Sequence, residues 1–135
     1  MTVETLNPPS LFQPDSYRQV AVARGSKLVC LSGQVALDRN GELVGPDDLS
    51  VQTEQIYANI VDGLAAAGAS FADVVKLNVY VVDWTPDKME QLVAGGTRAA
   101  SRLGFDPRTV MTMVGVQALA SPGFLIEVEA MAMLD

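Results

Sequence analysis

The chain has 135 residues, enough for one domain that buries roughly two-thirds of its unfolded surface. Nine basic against sixteen acidic residues leave a net charge of −7, and the longest basic cluster, Arg98 to Arg108, is diluted, so no nucleic-acid partner is expected. There is no histidine and a single cysteine, Cys30, which excludes an internal disulfide, a cysteine zinc site and the Ser-His-Asp and Cys-His forms of catalysis. Chemistry is left to carboxylates, hydroxyls, backbone amides, Lys, Arg and water, and no cofactor or metal is expected.

Residues 1–16 hold three of the seven prolines and read as an irregular arm, without the charged start and apolar run of a signal peptide. From Tyr17, alternation to Gly25-Ser26 predicts a strand, and Lys27 to Leu37 a second one antiparallel to it. Gly33 interrupts the second strand, predicting a bulge or a close backbone approach. Asn40-Gly41 supplies a tight reversal, and Asp47, Asp48 and Ser50 offer helix caps.

Ile56, Tyr57, Ile60, Val61 and Leu64 form one apolar stripe on a helix over about 49–67, stopped by Gly68. VVKLNVYVV at 74–82 is a β-branched run of the kind buried on both faces. Thr85-Pro86 opens a second helix that ends at Gly104 and that Gly95-Gly96 should weaken. Ala94-Gly95-Gly96 lies inside this helix and lacks the strand-to-helix setting of a phosphate loop. Residues 109–133 read as two further strands joined by Ser121-Pro122-Gly123. Alternation puts Glu127 and Glu129 on the same side as Leu125, Met131 and Met133, and carboxylates in so apolar a strand need partners or a wet cleft.

The order is β-β-α-β-α-β-β, an α+β domain spanning 1–135 whose two helices can cover one face of a sheet of about five strands. The later strands are apolar on both faces, so a closed homo-oligomer with sheets packed on sheets is expected. No apolar run reaches the ~20 residues that span a bilayer, and the lone cysteine fits a reducing cytoplasm.

Several residues, in order along nearly the whole chain, make it resemble the RidA/YjgF/UK family. They are Tyr17, Ser32-Gly33-Gln34, Gln52-Thr53, Asn59, Val75-Lys76, Val79-Tyr80, Val114-Gly115-Val116 and Glu127-Val128-Glu129-Ala130. The resemblance implies a chorismate-mutase-like subunit, a homotrimer, and clefts between subunits that bind small carboxylated or carbonyl metabolites. It also implies hydrolysis of enamines and imines to 2-keto acids and ammonia. Tyr17 matches the family's cleft tyrosine, Ser32 and Gly33 the residues whose hydroxyl and backbone face the ligand, and Glu127 the acid that holds a water. The family's substrate-gripping arginine falls at Met111, its usual cysteine at Met113 and its helix-two asparagine at Gln91.

A bidentate Arg–carboxylate contact is worth up to about 3 kcal/mol, and methionine cannot make it. Weak or absent activity on 2-imino acids is therefore expected, with a neutral or cationic imine fitting better. A non-catalytic binding module on the same trimer is the alternative, and an endoribonuclease is a distant third. Arg108, Arg98 and Arg102 are the cations left to replace the missing one.

Overall fold

The computed structural model describes residues 3–135. The elements are β1 Val3–Leu6, β2 Val20–Ala23, β3 Lys27–Cys30, α1 Leu49–Ala66, β4 Val74–Val82, α2 Met89–Leu103, β5 Met111–Val116 and β6 Ile126–Leu134. Both helices end where local chemistry ends them. Asp48 caps α1 by accepting the Val51 amide, and Gly68, at φ 80°, turns the chain beyond it. Thr85 and Pro86 open a 3₁₀ turn that runs into α2, which Gly104 closes in the left-handed conformation.

The main sheet has four strands in the order β3-β6-β4-β5; β4 and β5 are parallel and the other pairs antiparallel. Three expectations need correction. The arm is not wholly irregular: β1 pairs antiparallel with β2 in a separate two-stranded sheet, with Val3 opposite Ala23. Its four residues carry none of the arm's prolines, so each can join a ladder. β2 accordingly pairs with β1, not with the strand after Gly25-Ser26. Finally, β5 and β6 are not neighbours, because β4 lies between them. The Ser121-Pro122-Gly123 segment belongs to a crossover over the end of β4, where Val82 donates to the Leu125 carbonyl at 3.0 Å.

The Lys27 to Leu37 segment forms a regular ladder only as far as Cys30. Cys30 faces Met131, yet Gln34 faces Val128, a slip of one residue that constitutes a bulge around Gly33. The reversal at Asn40-Gly41 forms as expected, with Gly41 at φ 78° and Leu37 bridging to Leu43.

The core lies on one sheet face, under both helices. Ile56, Ile60 and Leu64 of α1 meet Leu77 and Val81 of β4 and Ile126 and Val128 of β6, all at most 1% exposed. Each such side chain contributes about 1.5–3 kcal/mol by leaving water. Among them sits the fully buried amide of Gln52. It donates to the carbonyls of Gly45 and Gly123, each at 3.0 Å, and accepts the Leu125 amide at 3.0 Å. One side chain thus satisfies three backbone groups and ties the crossover to α1. Gly95 has a packing reason as well: a Cβ there would lie 2.3 Å from the Ser50 carbonyl oxygen, so α1 and α2 cross in backbone contact.

Candidate functional site

β4 was expected to be buried on both faces; within one chain only the Val74, Leu77, Val79 and Val81 side is. The register places Lys76, Asn78 and Tyr80 of β4 on the other face, with Asn78 opposite Glu129 and Tyr80 opposite Glu127. Around these polar groups the same face exposes Leu28, Val114 and Met131, at 60%, 45% and 36%.

The Tyr80 hydroxyl donates to Glu129 Oε1, which raises the phenol's pKa above 10.0, with burial and the charges of Glu129 and Glu127 adding to the shift. Lys76 Nζ donates to Thr112 Oγ1 at 2.7 Å. These pairs were missed by the sequence reading, although the period-two spacing of Lys76, Asn78 and Tyr80 was there to find them. Glu127 is half-buried and its carboxylate accepts no hydrogen bond from the described residues. It lies against Gly33, where a Cβ would come within 2.1 Å of Glu127 Oε2. The bulge therefore seats the carboxylate on bare backbone beside Ser32, whose own side chain is exposed. Ser32, Gly33 and Glu127 are brought together.

The remaining predicted residues are elsewhere. Met111 and Met113 pair with Leu77 and Val79, which turns both to the helix face of the sheet, opposite Glu127. Met111 lines a cavity of about 280 Å³ beneath α2. Tyr17 lies near the start of β5, since Arg18 donates to the Thr109 carbonyl at 3.0 Å and Asp15 and Ser16 reach the mouth of that cavity. Gln91 lines a separate cavity of about 140 Å³ with Asp47 and Lys88.

The three arginines left to replace the missing cation are engaged on the helix side. Arg98 and Arg102 reach Glu54 at 2.7 and 3.3 Å. Arg108 grips Asp106 with two hydrogen bonds of 2.8 and 2.9 Å, which hold that carboxyl down at about 2. Among the described residues, no cluster of acidic or cysteine side chains is arranged to hold a metal, and no helix is long and apolar enough to cross a membrane.

One sheet face clad by two helices and the other carrying a glycine-seated carboxylate define a mixed α+β class of known fold. A solved structure of a Rid-family protein of Yersinia pestis, YyfB, described as of unknown function, is 38% identical. It superimposes with a TM-score of 0.87, covering 99% of this chain and 100% of that one. The chain belongs to the Rid/YjgF family, matching over residues 11–134 the family described as Endoribonuclease L-PSP. The mitochondrial protein mmf1 of Schizosaccharomyces pombe is 28% identical over 134 residues, 98% of this chain and 76% of its own length. The 3-aminoacrylate deaminase RutC of Acinetobacter baylyi is 31% identical over 65 residues, 48% of this chain and 52% of the deaminase.

Proposed function

We propose that three copies of this chain assemble through the bare sheet faces and bind a small metabolite in the clefts between them, where Glu127 directs water onto a C=N bond. The observation that carries this is the division of the site. The Gly33–Glu127 corner and Met111 lie on opposite faces of one sheet, so a second copy is what can bring such halves together. The relative named as a 3-aminoacrylate deaminase supports chemistry at carbon–nitrogen bonds. Glu127 takes a proton from water as the water oxygen bonds to the imine carbon and the π pair of the C=N bond moves to nitrogen. Glu127 then hands that proton, and later the carbinolamine hydroxyl proton, to the nitrogen. The carbon–nitrogen bond then breaks, so that imine and water become carbonyl and ammonia. Ser32 and the Gly33 amide hold the polar end of the substrate, and Tyr17 closes the mouth.

With Met111 at the position of the family's arginine, and Arg98, Arg102 and Arg108 already paired with carboxylates, none of these three is free to grip a substrate carboxylate. Anionic 2-imino acids should be poor substrates. In an assay coupled to an imine-releasing enzyme, the wild type should turn over 2-iminobutanoate slowly, and Met111→Arg should raise that rate about tenfold or more. Glu127→Gln should abolish turnover of neutral imines; full activity in that variant would end the catalytic assignment.

The same lack of a cation favours a second reading, a binding module that kept the cleft and lost the reaction. It predicts ligand binding with no turnover in either variant. Cleavage of RNA ranks behind both, because a net charge of −7 repels a polyanion. The cytoplasm remains the proposed compartment, although one relative is named as mitochondrial.

A further inference from the structure

We propose that the cavity between α2 and the sheet holds the uncharged, apolar body of a small ligand, whose single polar atom hydrogen-bonds the Tyr57 hydroxyl. This names the substrate class for the cleft proposed above and rests on that reading only in taking the occupant to be a substrate.

The cavity is a funnel. Its floor is Tyr57, Val79, Ile126 and Val128, all buried, and Leu92 and Met111 form its walls. At about 280 Å³ it has nearly twice the ~150 Å³ of a cavity known to take benzene, so a single ring with a short substituent fits. Charge is confined to the rim, where Asp15 is exposed and Arg108 is already neutralised by Asp106. An anion inside would have no counter-charge, which makes its burial unfavourable.

Tyr57 is the one polar group of the floor left without a partner. It is 8% exposed, and its hydroxyl has no hydrogen bond to any described residue, whereas the neighbouring Thr53 hydroxyl donates to the Leu49 carbonyl at 2.7 Å. Burial pushes the phenol up to about 12, which keeps it a neutral donor at working pH. No buried polar side-chain atom of the described residues lacks a partner, so this hydroxyl is open to water from the cavity, and an acceptor on a ligand there would take the place of that water. A carbonyl oxygen or an imine nitrogen would do so.

Methionine methyl groups give a direct readout, because Met89 and Met111 line the cavity while Met131 and Met133 lie on the other sheet face. In methyl-labelled protein, acetophenone should shift the Met89 and Met111 signals and leave those of Met131 and Met133 in place. Benzoate, of similar size but charged, should shift none of them. Tyr57→Phe should weaken acetophenone roughly three- to tenfold while leaving ethylbenzene binding unchanged. Gly96→Leu should block both neutral ligands, because a Cβ at Gly96 already lies 3.6 Å from the Tyr57 ring and a longer side chain enters the cavity. Val93→Trp fills the same space from the rim if Gly96→Leu does not fold.

Absence of Met89 and Met111 shifts with acetophenone overturns the proposal. So does benzoate binding equally well, or unchanged affinity in the filled variants. Cavity binding together with turnover that ignores Glu127 supports this proposal and overturns the cleft assignment alone.

Discussion

Gly33 and Glu127 share a space that holds one of them only because the other has no side chain. A Cβ at Gly33 meets the far end of a flexible carboxylate, not backbone, so Gly33→Ala should cost little stability. It must, however, push the Glu127 oxygens aside. We expect a melting temperature within a few degrees of wild type, about 1 kcal/mol or less, with turnover or ligand binding largely lost. Melting curves beside an imine assay check this, and intact function would mean that Glu127 does not act from that seat. The Arg108–Asp106 pair gives a second test at this scale. Asp106 is depressed from 3.8 to about 2, so the pair's stabilisation is whole above the ordinary carboxylate value and is lost as pH falls through about 2. Both groups are well exposed, so the effect is small. Denaturant titrations between about pH 4 and pH 2 should show a drop that Asp106→Asn lacks.

At the scale of the elements, Gln52 is a joint between α1 and the crossover to β6. Gln52→Met keeps the bulk and strands the Gly45 and Gly123 carbonyls and the Leu125 amide, at about 1–3 kcal/mol for each group left unpaired. A fall in melting temperature of roughly 10 °C or more is expected, checked by calorimetry. Much at this scale was legible in the sequence. The stripe from Ile56 to Leu64 and the β-branched run from Val74 to Val82 each carry a period that only one kind of element satisfies. The division of β6 was legible too, with Ile126, Val128, Ala130 and Ala132 turned to the helices and Glu127, Glu129, Met131 and Met133 away. Strand neighbours were not. Alternation says which residues share a face of one strand, and nothing about which strand lies beside it or in what register. That is why β5 and β6 were read as directly joined, and why the separation of Met111 from Glu127 could not be seen. At the site, Gly33 beside Glu127 was half visible, since a glycine inside a strand pattern signals close approach without naming what approaches.

For the whole molecule, the uncovered face is the main physical fact. Leu28, Val114 and Met131 expose apolar surface around a line of polar residues, a surface of the kind that marks an interface. Light scattering should give three times the mass of one chain, 14.3 kDa, at micromolar concentration. Leu28→Glu, at the most exposed of the three positions, should shift the sample toward smaller species. A wild type that stays monomeric and folded on concentration would remove the basis for any cleft between copies.

The place of β6 in the sheet bears on how the molecule is made. β3 and β4 are each zipped to β6, with Lys27 opposite Leu134 and Val81 opposite Ile126, and they do not touch one another as a ladder. During synthesis both must wait with open edges until residues 126–134, which follow them in the chain, have emerged. Joining β3 to the β4–β5 pair should therefore be a late event, slowed by the long loops it closes. Removing a few residues from 126–134 should leave sticky, unpaired strands where a trimmed but otherwise intact domain would be hoped for.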